Sequence, residues 1–142
     1  MAATAPRAAP SIAALGLVVL CVSQFVDVLS VNTAVIALPD IRADLDMGAD
    51  SAQWVISAYA LMFGSLLLFG GRLGDRVGHR RLFTIGLAAF GAGSLLCGLA
   101  PSGAVLIAAR AATGAAAALT VPAALALVVS GTEGSARRRA LA

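Results

Sequence analysis

The chain has 142 residues, of which 60% are hydrophobic and 12% charged, with a formal net charge of +3. Its mean hydropathy of +0.94 excludes an ordinary soluble domain and an intrinsically disordered chain. Aromatic residues make up only 5%, too few to interleave with the arginines as a nucleic-acid platform, so no nucleic-acid partner is expected.

The apolar layer of a bilayer is about 30 Å thick and a helix rises about 1.5 Å per residue, so roughly 20 apolar residues cross it. Four segments qualify, at about 12–38, 52–69, 82–100 and 104–130. None shows the strict apolar/polar alternation of a barrel strand, and lipid requires backbone groups to bond within each segment. The expected fold class is therefore all-α: a polytopic membrane protein with four transmembrane helices in one compact bundle.

Residues 1–11 are rich in Ala and Pro and are expected to form a disordered tail. The run 12–22 after Arg7 has the look of a signal-peptide core. Apolar character resumes beyond Asp27, however, no small-x-small cleavage site follows, and Leu20 before Cys21 is bulkier than a lipoprotein signal allows. A retained first helix is expected.

Within that first span, Ser23, Gln24, Asp27 and Ser30 recur at spacings of three and four, which places them on one helical stripe suited to an aqueous cavity. Asn32 falls off the stripe. The connection 39–51 carries Asp40, Asp44, Asp46, Asp50 and Arg42, and Gln53, Trp54 and Ser57 open the second span as interfacial residues.

The stretch 70–81 holds Gly70, Gly71, Gly74 and Gly78 together with Arg72, Asp75, Arg76, His79, Arg80 and Arg81. It is expected to be a glycine-rich turn, with His79 a solvated loop residue. The third span carries Gly86, Ala89 and Gly93 and the fourth Gly114 and Ala118, small-residue faces that allow close helix approach. Residues 131–142, with Arg137, Arg138 and Arg139, are expected to begin a cytoplasmic loop that the chain leaves truncated.

All ten basic residues are arginines. Arg7, the four of 70–81 and the three of 137–139 would share one side, against Arg42 on the other. The positive-inside rule then predicts a multi-pass protein of the cell (plasma) membrane with its amino terminus cytoplasmic.

Cys21 and Cys97 fall within spans and read as packing residues. Asp27 and Arg110 lie inside spans, where each costs about 2.5–3.5 kcal/mol on insertion scales, so both should face protein or water. Helical rise puts Asp27 roughly 16 Å and Arg110 roughly 10 Å from the outer ends of their spans, within side-chain reach of one another. They are expected to pair, or to compete for protons, inside the bundle.

The pattern Gly71-x-Leu73-Gly74-Asp75-Arg76-x-Gly78-x-Arg80-Arg81 resembles the loop signature between the second and third helices of major facilitator superfamily transporters. Arg110-x-x-x-Gly114 is similar to that family's fourth-helix motif, with Thr113 where glutamine is common. Ala37-Leu38-Pro39, closing the first span, resembles the drug/proton antiporter branch, the fourteen-span type favoured. In that branch an acid and an asparagine precede the tripeptide at positions that here are Ser30 and Val35. Asp27 and Asn32 each lie three residues earlier and keep the five-residue spacing between them.

The resemblance implies an amino-terminal fragment of a secondary transporter, with four helices of its amino-terminal bundle, that exports small drug-like molecules by alternating access. It implies a proton gradient as energy source and no cofactor. The partners would be the lipid bilayer, a small-molecule substrate and the remaining helices of the parent transporter. Asp27, Arg110, Gln24, Ser30 and Asn32 would serve proton coupling or the substrate pathway. Gly71, Gly74, Asp75, Arg76, Gly78, Arg80 and Arg81 would form a cytoplasmic gating loop, with Asp75 accepting from an arginine or a helix N-terminus.

No Ser/His, paired-Asp or metal-ligand constellation lies within the spans, so neither a catalytic nor a metal site is expected. The alternative is a small, non-transporting membrane protein that acts by helix–helix assembly with a partner.

Overall fold

The computed structural model describes residues 12–140, with side chains from 18 to 129. The expected tail, 1–11, lies outside them. Four helices follow in chain order: α1 (Ile12–Asp44), α2 (Ala49–Val77), α3 (His79–Gly98) and α4 (Gly103–Ala140). Each contains a stretch long and apolar enough to cross a membrane, with mean hydropathies of 1.4 to 1.9. The protein is an all-α, polytopic membrane protein.

All four helices differ from the sequence reading at their ends. α1 does not close at Pro39 but continues through it to Asp44. Proline removes one donor, which a membrane helix tolerates because its neighbouring backbone groups have no better partners than each other. The true connection is short, and Arg42 holds it by donating from Nε to the Met47 carbonyl at 3.1 Å.

The largest correction falls on the expected turn at 70–81. Gly70, Gly71, Gly74 and Asp75 are all helical, and the break between α2 and α3 is Gly78 alone. Its φ of 94° lies in a region open to glycine and strained for other residues. The Gly78 N–H donates to the Gly74 carbonyl, and the Gly78 carbonyl accepts from Leu82, so one residue ends one helix and starts the next. Likewise α4 runs as helix to Ala140, through most of the segment expected to be a loop.

α4 is the hub, packed extensively on α2 and α3, while α1 adds a lighter contact to α2 and α4. Sequence explains this directly. One face of α4 presents Gly114 and Ala118 to α2: a Cβ at Gly114 would strike the Tyr59 carbonyl, and one at Gly70 would strike the Ala118 carbonyl. A second face presents Thr113 and Thr120, which sit against Gly93 and Gly86 of α3. Ala89, expected on that α3 face, is exposed, and Phe90 is buried in its place.

Apolar residues gather in three layers along the bundle. Met47, Val55 and Leu106 fill the end beside the α1–α2 and α3–α4 connections. Tyr59, Phe90, Ala116 and Ala117 fill the middle. Leu20, Leu82, Phe83, Ala123 and Ala124 fill the end nearer Gly78. Large apolar side chains such as Phe25, Ile36 and Leu68 face outward, which lipid tolerates and water does not.

Candidate functional site

The middle layer is where the ionisable groups inside the bundle meet, Arg110 and Tyr59 buried and Asp27 half-buried. Asp27 projects from α1, Tyr59 from α2 and Arg110 from α4. Arg110 is only 4% exposed and Tyr59 7%.

Asp27 and Arg110, expected to pair or to compete for protons, form no direct ion pair; among the described residues the one acid–base contact at ion-pair distance is between Asp75 and the His79 imidazole. Tyr59 stands between them instead. Its hydroxyl donates to Asp27 Oδ1 at 2.8 Å. The Arg110 guanidinium carbon lies 4.6 Å from the centroid of the same ring, a cation–π arrangement that strengthens when desolvated. Phe63 stacks on the ring at 6.0 Å between centroids.

Arg110 finds its hydrogen bonds elsewhere, which is the physical reason it does not reach the carboxylate. Nε donates to the Val55 carbonyl at 3.3 Å and Nη1 to Ser30 Oγ at 3.2 Å. The guanidinium therefore ties α4 to α1 and α2 at once. Close approach makes this possible: Gly114, one turn beyond Arg110, lets α4 press against the Tyr59 backbone.

The predicted residues thus separate by position. Asp27, Ser30 and Arg110 share one cluster. Gln24 lines a small cavity with Asp27, and its Nε2 is buried without a hydrogen-bond partner. Asn32 stands apart, exposed and donating back to the Val28 carbonyl of its own helix. Gly114 belongs to the cluster through packing alone.

The second predicted group lies around Gly78 at one end of the bundle. Asp75 Oδ1 is 3.4 Å from His79 Nε2, an i,i+4 pair across the glycine break. This corrects two expectations, since Asp75 engages the imidazole of His79, the first residue of α3, rather than an arginine or a helix N-terminal backbone N–H, and His79 is not simply solvated. Its ring packs on Gly74, where a Cβ would meet Nδ1 at 2.5 Å. Gly71 has open space beside it and makes no such contact. Arg76, Arg80 and Arg81 are exposed.

Tyr59 is the residue that sequence reasoning missed. Its signal was available: it is the chain's single tyrosine, about 10 Å into the second span by helical rise from residue 52, the depth assigned to Arg110.

A bundle of membrane-length helices with a carboxylate, a phenol and a guanidinium linked at mid-depth belongs to the class of polytopic membrane proteins with a polar interior. The chain matches the Major Facilitator Superfamily over residues 20–142 and belongs to it. Its four helices are part of that fold's amino-terminal bundle. It is 50% identical to the cephamycin export protein CmcT of Amycolatopsis lactamdurans over 132 residues, 92% of this chain and 27% of that protein. It is 50% identical to the puromycin resistance protein pur8 of Streptomyces alboniger over 113 residues, 80% of this chain and 22% of the relative. The lincomycin resistance protein of Streptomyces lincolnensis is 41% identical over 112 residues, 79% of this chain and 23% of that protein. The chain spans about a quarter of the length of these relatives.

Proposed function

We propose that the chain forms part of a secondary transporter of the drug/proton antiporter branch. It would export small, drug-like molecules by alternating access, with a proton gradient as its energy source. The export and resistance proteins it is similar to support this reading over assembly of a small non-transporting protein.

The observation that carries the mechanism is the Tyr59 bridge. An ionised Asp27 balances Arg110 through the Tyr59 hydroxyl and ring. A proton on Asp27 leaves Arg110 as the uncompensated charge and weakens what draws α1 toward α2 and α4. Proton binding would in this way change the packing of the lightly held α1, the kind of two-state element alternating access requires.

The amino terminus and the Gly78 break would be cytoplasmic, since Arg72, Arg76, Arg80 and Arg81 cluster at that end and Arg42 stands alone at the other. Asp75 and His79 would steady the break there, beside arginines that meet anionic lipid or the remaining helices.

The test is pH-driven export by the complete reading frame that carries these residues, reconstituted in vesicles. Asp27→Asn and Arg110→Ala are expected to abolish coupling at normal expression. Unchanged pH-driven efflux in both variants would overturn the assignment.

A further inference from the structure

Beside the Asp27–Tyr59 bond lies a second polar feature that the coupling cluster does not use. A cavity of about 10 Å³ opens among α1, α3 and α4, lined by Gln24, Asp27, Ser23 and Thr120 together with Leu87 and Phe90. No residue of α2 lines it.

That volume is at the lower limit for admitting a single water molecule, which is held only where two to four polar partners converge. Those partners are present. Gln24 Nε2 is buried and donates to no group of the described protein, and an amide hydrogen left unbonded in a buried setting is costly enough to favour a partner. Ser23 and Thr120 spend their hydroxyl hydrogens on the Leu20 and Ala116 carbonyls, at 2.8 Å each, and so retain acceptor capacity. Asp27 gives Oδ1 to Tyr59 on the α2 side and still lines the cavity.

We propose that this cavity binds a single water molecule, held by Gln24 and Asp27, through which protons reach Asp27 from the side that Tyr59 does not occupy. The inference rests on the coupling role of Asp27 given above and names its proton path. A proton arriving on this water as hydronium passes to the carboxylate. An O–H bond of the hydronium breaks, a new O–H bond forms on Asp27, and neutral water and a neutral carboxylic acid remain.

The arrangement separates two jobs that one carboxylate must do. Toward α2 and α4, Asp27 faces Tyr59 and Arg110, the titratable and charged groups of those helices in the cluster. From α3 the cavity receives Leu87 and Phe90, which carry no proton; Cys97 of the same helix packs in the layer near Leu106 instead. The proton therefore enters on one side of the carboxylate and its electrostatic consequence is felt on the other.

Infrared difference spectroscopy of the full chain in lipid nanodiscs tests this, with pH jumps recorded in ordinary and ¹⁸O-labelled water. A bound-water O–H band that shifts with the isotope is expected in the unaltered chain and lost in Gln24→Met, while Gln24→Glu keeps it. Hydrogen–deuterium exchange of the Asp27 carboxyl should slow about tenfold in Gln24→Met, a barrier increase of about 1.4 kcal/mol. Thr120→Val preserves side-chain shape and should weaken the band, which provides a reading if Gln24→Met fails to fold. A band and exchange rate unchanged in folded Gln24→Met, or in Thr120→Val if Gln24→Met does not fold, would overturn the proposal. A water band that persists while the Asp27 carboxyl never titrates would instead overturn the coupling role and leave the water site standing.

Discussion

Around Gly78 the chain places Arg72, Asp75, Arg76, Arg80 and Arg81 where they are exposed, with His79 partly covered. At mid-bundle it places two formal charges, Asp27 and Arg110, with a phenol between them. The crowded region dominates the sequence and the sparse one the energetics. The Asp75 side chain is 74% exposed, so water and salt screen its pair, and exposed pairs contribute about 0–1 kcal/mol. Arg110 has no such screening, and its three interactions tie α4 to α1 and α2.

The widest gap between the regions is expected in Arg110→Ala. It removes both hydrogen bonds and the ring contact, and it leaves Asp27 without its counter-charge, a loss of about 3 kcal/mol by comparison with other broken buried charge systems. Denaturant-driven unfolding in micelles measures it. A loss below about 1 kcal/mol would place the cluster on the footing of an exposed pair. Arg110→Ala and Asp27→Asn share a network, so their effects should combine non-additively.

Tyr59→Phe is expected to cost less, about 1–2 kcal/mol, because it removes the hydroxyl from Asp27 and leaves the ring beneath Arg110 and against Phe63. Its effect should vanish in an Asp27→Leu background, where the hydroxyl has already lost its acceptor. Equal costs in both backgrounds would mean that Tyr59 acts through packing alone.

The four spans were legible because lipid imposes length and composition on every crossing. The 70–81 region was misjudged for a related reason. Glycine reads as a turn signal in water, yet Gly70 here serves contact with Ala118 and stays helical. Only Gly78 bends the chain, and nothing in the residue type distinguishes it from Gly71 or Gly74. Depth arithmetic brought Asp27 and Arg110 together but could not see that Ser30 and the Val55 carbonyl would take the guanidinium. That outcome depends on how the helices rotate about their axes, which for α2 is set by the close contacts of Gly70 with Ala118 and of Gly114 with Tyr59. His79 was read as a solvated loop residue, and its contact with Asp75 was not foreseen, because an i,i+4 pairing is a rule for continuous helices and the sequence places Gly78 between the partners.

At the bend the backbone should matter more than the charges, so the smallest expected effect, that of Asp75, comes with its own internal control. Asp75→Asn removes the carboxylate's charge beside His79 and should change stability by about 0–1 kcal/mol, less as salt rises. Gly78→Ala touches no charge, yet it forces a Cβ onto a backbone at φ 94° and ψ 128°, a sparsely populated region that costs L-residues about 1–3 kcal/mol. Unfolding measured in low and high salt separates the two, since only the Asp75 effect should fade. If Asp75→Asn proved the costlier at both salt concentrations, the arginine-rich end would be an electrostatic latch even in the isolated chain. The contrast between a screened surface and a desolvated interior would then no longer order this molecule's energetics.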